Sequence, residues 1–339
     1  MISLHEHLER VVTGHDLASD DAYAAFTAIM QGEVSEVEMA ALLTALRVKG
    51  ESVGEIVGAA RAMHERATPI TTVKRGLLDT CGTGGDRLQT FNISTAAAFV
   101  LAACGVPIAK HGNRSVSSSS GSADVLEQLG VNINLTPAQV ARCIDELGIG
   151  FCFAPLFHGA MKHAAPVRKQ LRFRTIFNLL GPLTNPARAE FQLLGTGRIE
   201  TAHRLARALA ELGRDHAFVV CGADQLDEVS LWGQTTAFEV SDGQFIEHRW
   251  TAATFGLEEC HVEQLQVGSS AESAGVLRRV FQGEPGVARD MVLANASAGL
   301  LAARKTDDPR EGVALAAAAI DSGKVLDILE RLVASTAAL

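Results

Sequence analysis

The segment Asp79-Thr-Cys-Gly-Thr-Gly-Gly-Asp86 carries three glycines within four residues. It follows a short apolar run, Gly76-Leu77-Leu78, and precedes Phe91-Asn-Ile-Ser-Thr-Ala-Ala-Ala-Phe-Val-Leu-Ala. This order predicts a strand, a glycine loop and a helix. The glycines permit positive φ and leave no Cβ in the way of a ligand. Backbone N–H groups of the loop and of the helix N-terminus are then suited to bind an anion.

The glycine loop alone is equally compatible with a phosphate site and with an ordinary strand-to-helix turn. It matches neither G-x-x-x-x-G-K-[ST] nor G-x-G-x-x-G. The sequence therefore indicates neither an ATPase P-loop nor a dinucleotide-binding fold.

Beyond Gly76, short apolar runs alternate with helical patterns, as in the helix predicted from the N-cap Thr136 and Pro137. This alternation predicts an α/β fold with a mainly parallel sheet covered by helices. The Asp242-Gly243 pair lies between two further runs and predicts a hairpin at an antiparallel edge. The predicted strands are 106–110, 150–154, 192–195, 216–221, 235–240 and 244–248.

The first 72 residues carry helix signals and no strand signals. Ser35-Glu-Val-Glu38 and Ser52-Val-Gly-Glu55 are capping-box sequences, and Gly50 supplies a stop between them. We expect about four short helices in a small helical domain, residues 1–72, followed by an α/β domain, residues 73–339. The segment from about Ser273 onward is predicted to be helical.

Composition restricts the classes of function. The chain has 339 residues, 47% of them hydrophobic, with a net charge of -9 and 5% aromatic residues. Nucleic-acid binding is not expected, because it needs a dominant basic surface. The six cysteines form no C-x-x-C pair, and no apolar run approaches membrane-spanning length. We therefore expect a cytoplasmic protein that does not bind membranes.

Three further segments carry candidate chemistry. Lys110-His-Gly-Asn-Arg114, with the serine run up to Ser122, is expected to form a donor-rich loop after the strand that ends at Ala109. Arg168 has the geometry to bind a planar carboxylate, although a solvated basic helix face is equally compatible. Asp227-Glu228 suits a hard cation such as Mg²⁺, although a capped surface turn is the commoner explanation of such a pair.

Together these segments resemble the anthranilate phosphoribosyltransferase family over nearly the whole chain. Each segment is unspecific alone, but their combination and order are highly specific. The segments that carry the resemblance are 82–86, 91–95, Lys110-His-Gly-Asn-Arg114, Ala165-Pro-Val-Arg168, 174–186 and Asp227-Glu-Val-Ser230.

The resemblance implies a nucleoside phosphorylase-like phosphoribosyltransferase fold. It also implies a Mg²⁺-dependent homodimer that joins anthranilate to 5-phosphoribosyl-1-pyrophosphate (PRPP) in tryptophan synthesis. The helical domain would also include a stretch near Phe157–Leu183. A pyrimidine nucleoside phosphorylase and a non-catalytic relative that binds nucleic acid remain as alternatives.

The resemblance also assigns roles to individual residues of this chain. Anthranilate would contact Gly82, His111, Asn113 and Arg168, and Mg²⁺ would be held by Ser94, Asp227 and Glu228. No dedicated acid or base is expected, and His111 is the only candidate proton acceptor. The residues expected to bind PRPP are Gly82, Thr83, Gly84, Gly85, Asp86, Thr90, Asn92, Ser94, Thr95, Lys110 and Ser122.

Two positions depart from the family pattern. Ser119 stands where many members have lysine, which predicts weaker PRPP binding. The missing contact of the lysine ammonium would cost about 1.5–3 kcal/mol if it were desolvated, and less if it were exposed. Gly159 stands where proline is common, and this change is expected to be neutral or to loosen the loop beside the anthranilate route.

Overall fold

The computed structural model describes residues 3–115 and 120–339. Its first part consists of four helices, as expected. The capping box at Ser52 is present with Glu55, whereas Ser35 caps its helix and Glu38 instead accepts the Leu4 N–H. The four helices are α1 (His5–Val12), α2 (Ser19–Gln31), α3 (Glu36–Lys49) and α4 (Val53–Glu65).

A seven-stranded sheet forms the centre of the remaining chain, in the order β3-β2-β1-β4-β5-β6-β7. The first five strands pair in parallel, and the predicted hairpin forms the antiparallel edge. This confirms the predicted fold class. The strands are β1 (Leu78–Gly82), β2 (Ile108–Gly112), β3 (Ile149–Phe153), β4 (Phe191–Gly195), β5 (His216–Cys221), β6 (Thr235–Ser241) and β7 (Gln244–Trp250).

Helices cover both faces of the sheet, because successive strand residues point to opposite sides and both sides are apolar. Leu193 and Phe218 face one core, while Leu194 and Val219 face the other. The other helices are α5 (Ile93–Ala103), α6 (Ser122–Gln128), α7 (Pro137–Leu147), α8 (Ala154–Phe157), α9 (Ala165–Leu171), α10 (Phe177–Leu180), α11 (Ile199–Glu211), α12 (Ala252–Phe255), α13 (Ser270–Phe281), α14 (Val287–Ala302), α15 (Pro309–Asp321) and α16 (Lys324–Ala337).

The second core also contains the four N-terminal helices. Val167 of α9 and Phe177 of α10 are buried in it, and the Phe177 ring packs edge-on against Phe26 at a centroid distance of 5.6 Å. The expected helical contribution near 157–183 and the domain division at residue 72 both stay predictions. None of the helices in the described ranges is long and apolar enough to cross a membrane.

One strand boundary is wrong in the sequence prediction. The apolar run 106–110 was predicted as a strand, and Lys110-His111 was also expected to begin a donor-rich loop. The structure places both residues within β2, which continues to Gly112 and buries both side chains. Polar residues of this kind usually indicate a loop. Here they are tolerated inside a strand because Thr80 and Asp79 on β1 form hydrogen bonds with them.

The strand order places a topological switch point between β1 and β4. The chain leaves β1 toward β2 on one side and leaves β4 toward β5 on the other. Ligands of open α/β sheets bind at the carboxyl ends of the strands at such a point. Gly82 and Gly195, the last residues of β1 and β4, are paired there.

Candidate functional site

The glycine loop begins directly at the switch point. The Thr83 N–H donates to the Gly195 carbonyl at 2.9 Å, and Gly84 and Gly85 have φ of +68° and +83°. Gly82 does not have the left-handed φ that the sequence suggested. It is needed for space, because a Cβ there would lie 2.4 Å from Asp227 Oδ2.

Gly195 is a site residue that the sequence pattern did not indicate. A Cβ at this position would lie 1.6 Å from the Asp227 carbonyl oxygen. The paired glycines Gly82 and Gly195 thus leave room for Asp227 above the ends of β1 and β4. Only the register between these distant strands reveals this requirement.

Arg174 is a second residue that the sequence did not single out. Its guanidinium donates to the carbonyls of Gly84 at 2.6 Å and Thr83 at 2.7 Å. A Cβ on Gly85 would lie 2.1 Å from Arg174 Nη1. The segment between α9 and α10 therefore holds the glycine loop from outside.

Asn92 stands at the N-cap position of α5, as expected, but its side chain makes no capping bond. Its Oδ1 accepts hydrogen bonds from Ser120 Oγ at 2.6 Å and Ser273 Oγ at 2.7 Å. Thr95 is 1% exposed, so its hydroxyl lies inside the protein rather than at the open end of the helix. Thr90 forms an isolated antiparallel bridge with Gln266.

The carboxylates of Asp227 and Glu228 accept from the amides that were expected to bind an anion. Asp227 Oδ2 accepts from the Gly84 N–H at 2.8 Å, and Glu228 Oε1 accepts from the Ser94 N–H at 3.0 Å. The glycine loop and the α5 N-terminus thus each hold one carboxylate.

Burial disfavours the charged forms of the two carboxyl groups, and a bound cation would stabilise those forms. Burial, followed by the neighbouring charge of Asp86, raises the pKa of Asp227. Burial, followed by the charge of Asp227, raises the pKa of Glu228. In the described chain no group of three or more His, Cys, Asp or Glu side chains is arranged to hold a metal. Two carboxylates and a hydroxyl suit Mg²⁺, which shares the rest of its shell with water and phosphates.

Lys110 lies beneath this carboxylate pair. Its ammonium donates to the Thr80 carbonyl and lies 3.5 Å from Ser94 Oγ. Burial lowers the pKa of Lys110, while the negative charge of buried Asp79 opposes that shift. Asp79 Oδ1 also accepts from the His111 N–H at 3.0 Å, so one buried carboxyl group fixes this part of β2.

His111 and His158 form a buried pair. His111 Nδ1 lies 3.0 Å from the Gly181 carbonyl, which can only accept, so this nitrogen carries the hydrogen. The two Nε2 atoms are 3.2 Å apart, and His158 must then donate to the lone pair of His111. Burial lowers the pKa of His111 to about 4 and that of His158 to about 3. Both rings are therefore neutral near pH 7.

This pair predicts a steep loss of stability in acid. Both folded pKa values lie below the usual 6.5, so the stabilisation is present above pH 6.5 and is lost as the pH falls toward 4. Each histidine adds a slope of up to about 1.4 kcal/mol per pH unit within that window. We expect His158→Gln to flatten the dependence of the urea-unfolding free energy on pH, and the exposed control His5→Gln to leave it unchanged. Parallel curves for His158→Gln and the unsubstituted protein would contradict the assignment.

Two of the residues expected to bind anthranilate, Arg168 and Asn113, lie on α9 and on the loop after β2. Arg168 is half-buried on α9, with its Cζ 5.3 Å from the Phe177 ring centroid. Within the described ranges, no carboxylate lies within ion-pair distance of its guanidinium. Asn113 Oδ1 accepts from the Arg114 N–H at 2.7 Å, and the Asn113 carbonyl accepts from Ser122 Oγ at 3.3 Å. Arg168 thus retains its donors for a ligand.

The two departures from the family pattern differ in what the structure says about them. Ser119 lies outside the described residues. A Cβ at Gly159 would meet no atom within 4 Å, so the structure offers no steric reason for glycine there. The expected effects of both positions stay predictions.

Sequence models of known families match both parts of the chain. The helical bundle domain of a glycosyl transferase family matches residues 5–67, and the a/b domain of that family matches residues 74–326. The second match alone covers more than half of the chain.

Individual relatives are similar over nearly their full length. The anthranilate phosphoribosyltransferase of Symbiobacterium thermophilum is 51% identical, over 96% of this chain and 95% of the relative. That of Chromobacterium violaceum is 49% identical, over 98% of both chains.

Solved structures agree with this similarity. The Thermus thermophilus enzyme has a TM-score of 0.92 at 45% identity, over 97% of this chain and 98% of the other. The Saccharomyces cerevisiae enzyme in complex with PRPP and Mg has a TM-score of 0.91 at 28% identity, over 99% of this chain and 98% of the other. With its sheet topology, carboxylate pair and full-length similarity, this chain belongs to the anthranilate phosphoribosyltransferase family.

Proposed function

We propose that this protein transfers the phosphoribosyl group of PRPP to the amino group of anthranilate. The products are N-(5-phosphoribosyl)anthranilate and pyrophosphate, and the reaction belongs to tryptophan biosynthesis. The proposal rests mainly on two hydrogen bonds at the switch point. The Gly84 N–H donates to Asp227, and the Ser94 N–H donates to Glu228. Further support for the proposal is the family membership and the yeast relative in complex with PRPP and Mg.

In the proposed complex, the glycine loop and the first turn of α5 bind the phosphates of PRPP. The backbone amides of Gly84 and Ser94 already donate hydrogen bonds to carboxylates, and the same donors suit phosphate oxygens. Asp227, Glu228 and Ser94 would hold Mg²⁺, and the cation would supply positive charge to neutralise the departing pyrophosphate. The Lys110 side chain lies beside this region, with its Nζ 3.5 Å from Ser94 Oγ.

The bond between C1 and oxygen breaks through a transition state that resembles an oxocarbenium ion. The amine of anthranilate is uncharged near pH 7 and needs positioning more than activation. His111 already accepts a hydrogen bond from His158, so its lone pair is not free to take the amine proton. This geometry favours a reaction without an essential general base. The amine then loses its proton to solvent or pyrophosphate after the C–N bond has formed.

Arg174 should affect PRPP binding more than anthranilate binding, because it contacts the loop only. We expect Arg174→Lys to raise the KM for PRPP by about three- to tenfold, since lysine cannot replace both hydrogen bonds. The KM for anthranilate should stay within error. Arg172→Lys, the same change at an exposed neighbour, is the control for steady-state kinetics. Equal increases in both KM values would show that Arg174 acts only through general folding.

The proposed reaction is tested by the loss of anthranilate fluorescence on mixing the protein with PRPP, with and without Mg²⁺. Mg²⁺-dependent loss, with pyrophosphate formed in equal amount, supports the proposal. Absence of loss at high protein concentration would reject it, and phosphorolysis of pyrimidine nucleosides would then test the nucleoside phosphorylase alternative.

We also propose a homodimer formed through the N-terminal helices. Val37 and Val48 of α3 are 79% and 82% exposed, and Val12 at the end of α1 is 61% exposed. Val37 and Val48 lie three turns apart on one face of α3, a pattern suited to a helix–helix contact.

The homodimer predicts that Val37→Glu/Val48→Glu yields monomers. Buried carboxylates in an apolar interface are strongly unfavourable, so dissociation should be complete at micromolar concentration. Sedimentation velocity measures the change. Val73→Glu is the matched control, because Val73 is 81% exposed but lies outside these helices. A sedimentation coefficient unchanged by the double substitution would reject this surface.

The proposed compartment is the cytoplasm. All six cysteines are free thiols, as is usual in reducing compartments.

A further inference from the structure

A cavity of about 300 Å³ lies between α4 and the two segments that lead into β4 and β5. His64 on α4, Arg188 before β4 and Arg214 before β5 contribute to its lining. Leu183 and Leu212 supply apolar wall. The cavity therefore combines two arginines and an imidazole from three separate segments with an apolar surface.

This cavity is distinct from the switch-point site. Arg188 and Arg214 precede their strands, whereas the glycine loop and Asp227 follow the carboxyl ends of β1 and β5. A five-residue strand such as β4 is about 16 Å long. The cavity and the carboxylate pair thus lie at opposite ends of the parallel strands.

Among the described residues, no carboxylate lies within ion-pair distance of Arg188 or Arg214. In the described part of the chain, the Arg188 side chain forms no hydrogen bond or ion pair, and Arg214 bonds only to the Ala189 carbonyl. Arg214 Nε is buried without a partner. Burial and the charges of Arg188 and Arg214 lower the pKa of His64, which shows that the three groups are close.

The nearby carboxylates are already engaged. Glu65 accepts from the Tyr23 hydroxyl at 2.5 Å, and both Glu190 oxygens accept from backbone amides. Arg61 at the rim pairs with Asp20 at 3.0 Å. Asp79, Asp215 and Glu190 are close enough to act on the charge of Arg214, but among the described residues none of them lies within ion-pair distance of it. Among the residues that line the cavity there are three arginines and one carboxylate, Glu65, so the lining itself favours an anion.

We propose that this cavity binds the oxyanion group, carboxylate or phosphate, of a small molecule. Arginine recognises both groups through charge-assisted hydrogen bonds, and Leu183 and Leu212 leave room for an apolar body. A bound anion would link α4 to the segments before β4 and β5. It would thereby stabilise the contact between the helical part and the sheet.

The test follows the ring signals of His64 by NMR while inorganic phosphate or benzoate is added at constant ionic strength. His64→Gln identifies the signals. We expect a saturable shift with a Kd of about 1 mM. Arg188→Gln should raise that Kd at least about tenfold, since it removes a charged contact. The control Arg331→Gln, an exposed arginine on α16, should not change it.

The variants also separate this site from the catalytic one. Arg188→Gln should leave kcat and both KM values unchanged without added anions, and Arg188→Lys should restore part of the affinity. A response to phosphate alone or to benzoate alone identifies the preferred oxyanion, and either supports the proposal. No shift of His64 with either probe, or a shift unaltered in Arg188→Gln, overturns it.

Discussion

Asp227→Asn/Glu228→Gln is expected to lower kcat/KM for PRPP by about 10²–10⁴-fold, since each lost charge-assisted contact costs about 1.5–3 kcal/mol. The reason lies in the structure without ligands, where these carboxyl groups accept the Gly84 and Ser94 amides. In the proposed complex with Mg²⁺ and PRPP, the carboxylates would bind the metal while the amides would bind phosphate. The variant keeps the shape of the site but loses the charge that holds the cation.

Binding of pyrophosphate separates this explanation from misfolding. Without Mg²⁺ at pH 9, above the pKa of about 7 for Asp227 and about 8 for Glu228, the variant should bind pyrophosphate more tightly than the unsubstituted protein, by about tenfold, because two negative charges no longer oppose the anion at these amides. Added Mg²⁺ should then improve binding only in the unsubstituted protein. Asp224→Asn, in the same turn but exposed, is the matched control for calorimetry. Weaker pyrophosphate binding by the variant with and without Mg²⁺ would contradict this role.

Local signals in the sequence predict much of the fold. β5 has the predicted bounds, His216–Cys221, because its apolar run has no competing helical pattern. The Asp242-Gly243 turn predicts the β6–β7 hairpin, since both residues tolerate the left-handed φ found there. Such features depend only on neighbouring residues, so one sequence is enough to find them.

The features that the sequence did not predict depend on distant partners. Lys110 is tolerated inside β2 because Thr80 and Asp79 compensate its burial from the adjacent strand. Gly195 matters because of Asp227, and Arg174 because of the glycine loop. The requirement at Gly195 follows from the register between β1 and β4, and the role of Arg174 follows from the contact of the 172–176 segment with the glycine loop. No local pattern encodes either of them.

Arg168→Gln is expected to weaken anthranilate binding by about 10–150-fold, the equivalent of about 1.5–3 kcal/mol for a charge-assisted contact. Arg168 is half-buried over Phe177, and burial lowers the pKa of its guanidinium. A carboxylate would relieve the cost of burying this charge, and the planar fork would fix the ring of the ligand. Lys169→Gln, an exposed change on the same helix, is the control for fluorescence titration in the presence of Mg²⁺ and pyrophosphate.

The ligand itself supplies the decisive comparison. Anthranilamide keeps the ring and the amine but has no negative charge, so Arg168→Gln should change its affinity by less than about threefold. The difference between the two ligands then isolates the contact between the guanidinium and the carboxylate, because misfolding would weaken both equally. An equal loss for anthranilate and anthranilamide would mean that Arg168 supports the pocket through Phe177 rather than binding the substrate. In that case the carboxylate must be recognised elsewhere, and Asn113 on the loop after β2 would be the next residue to vary.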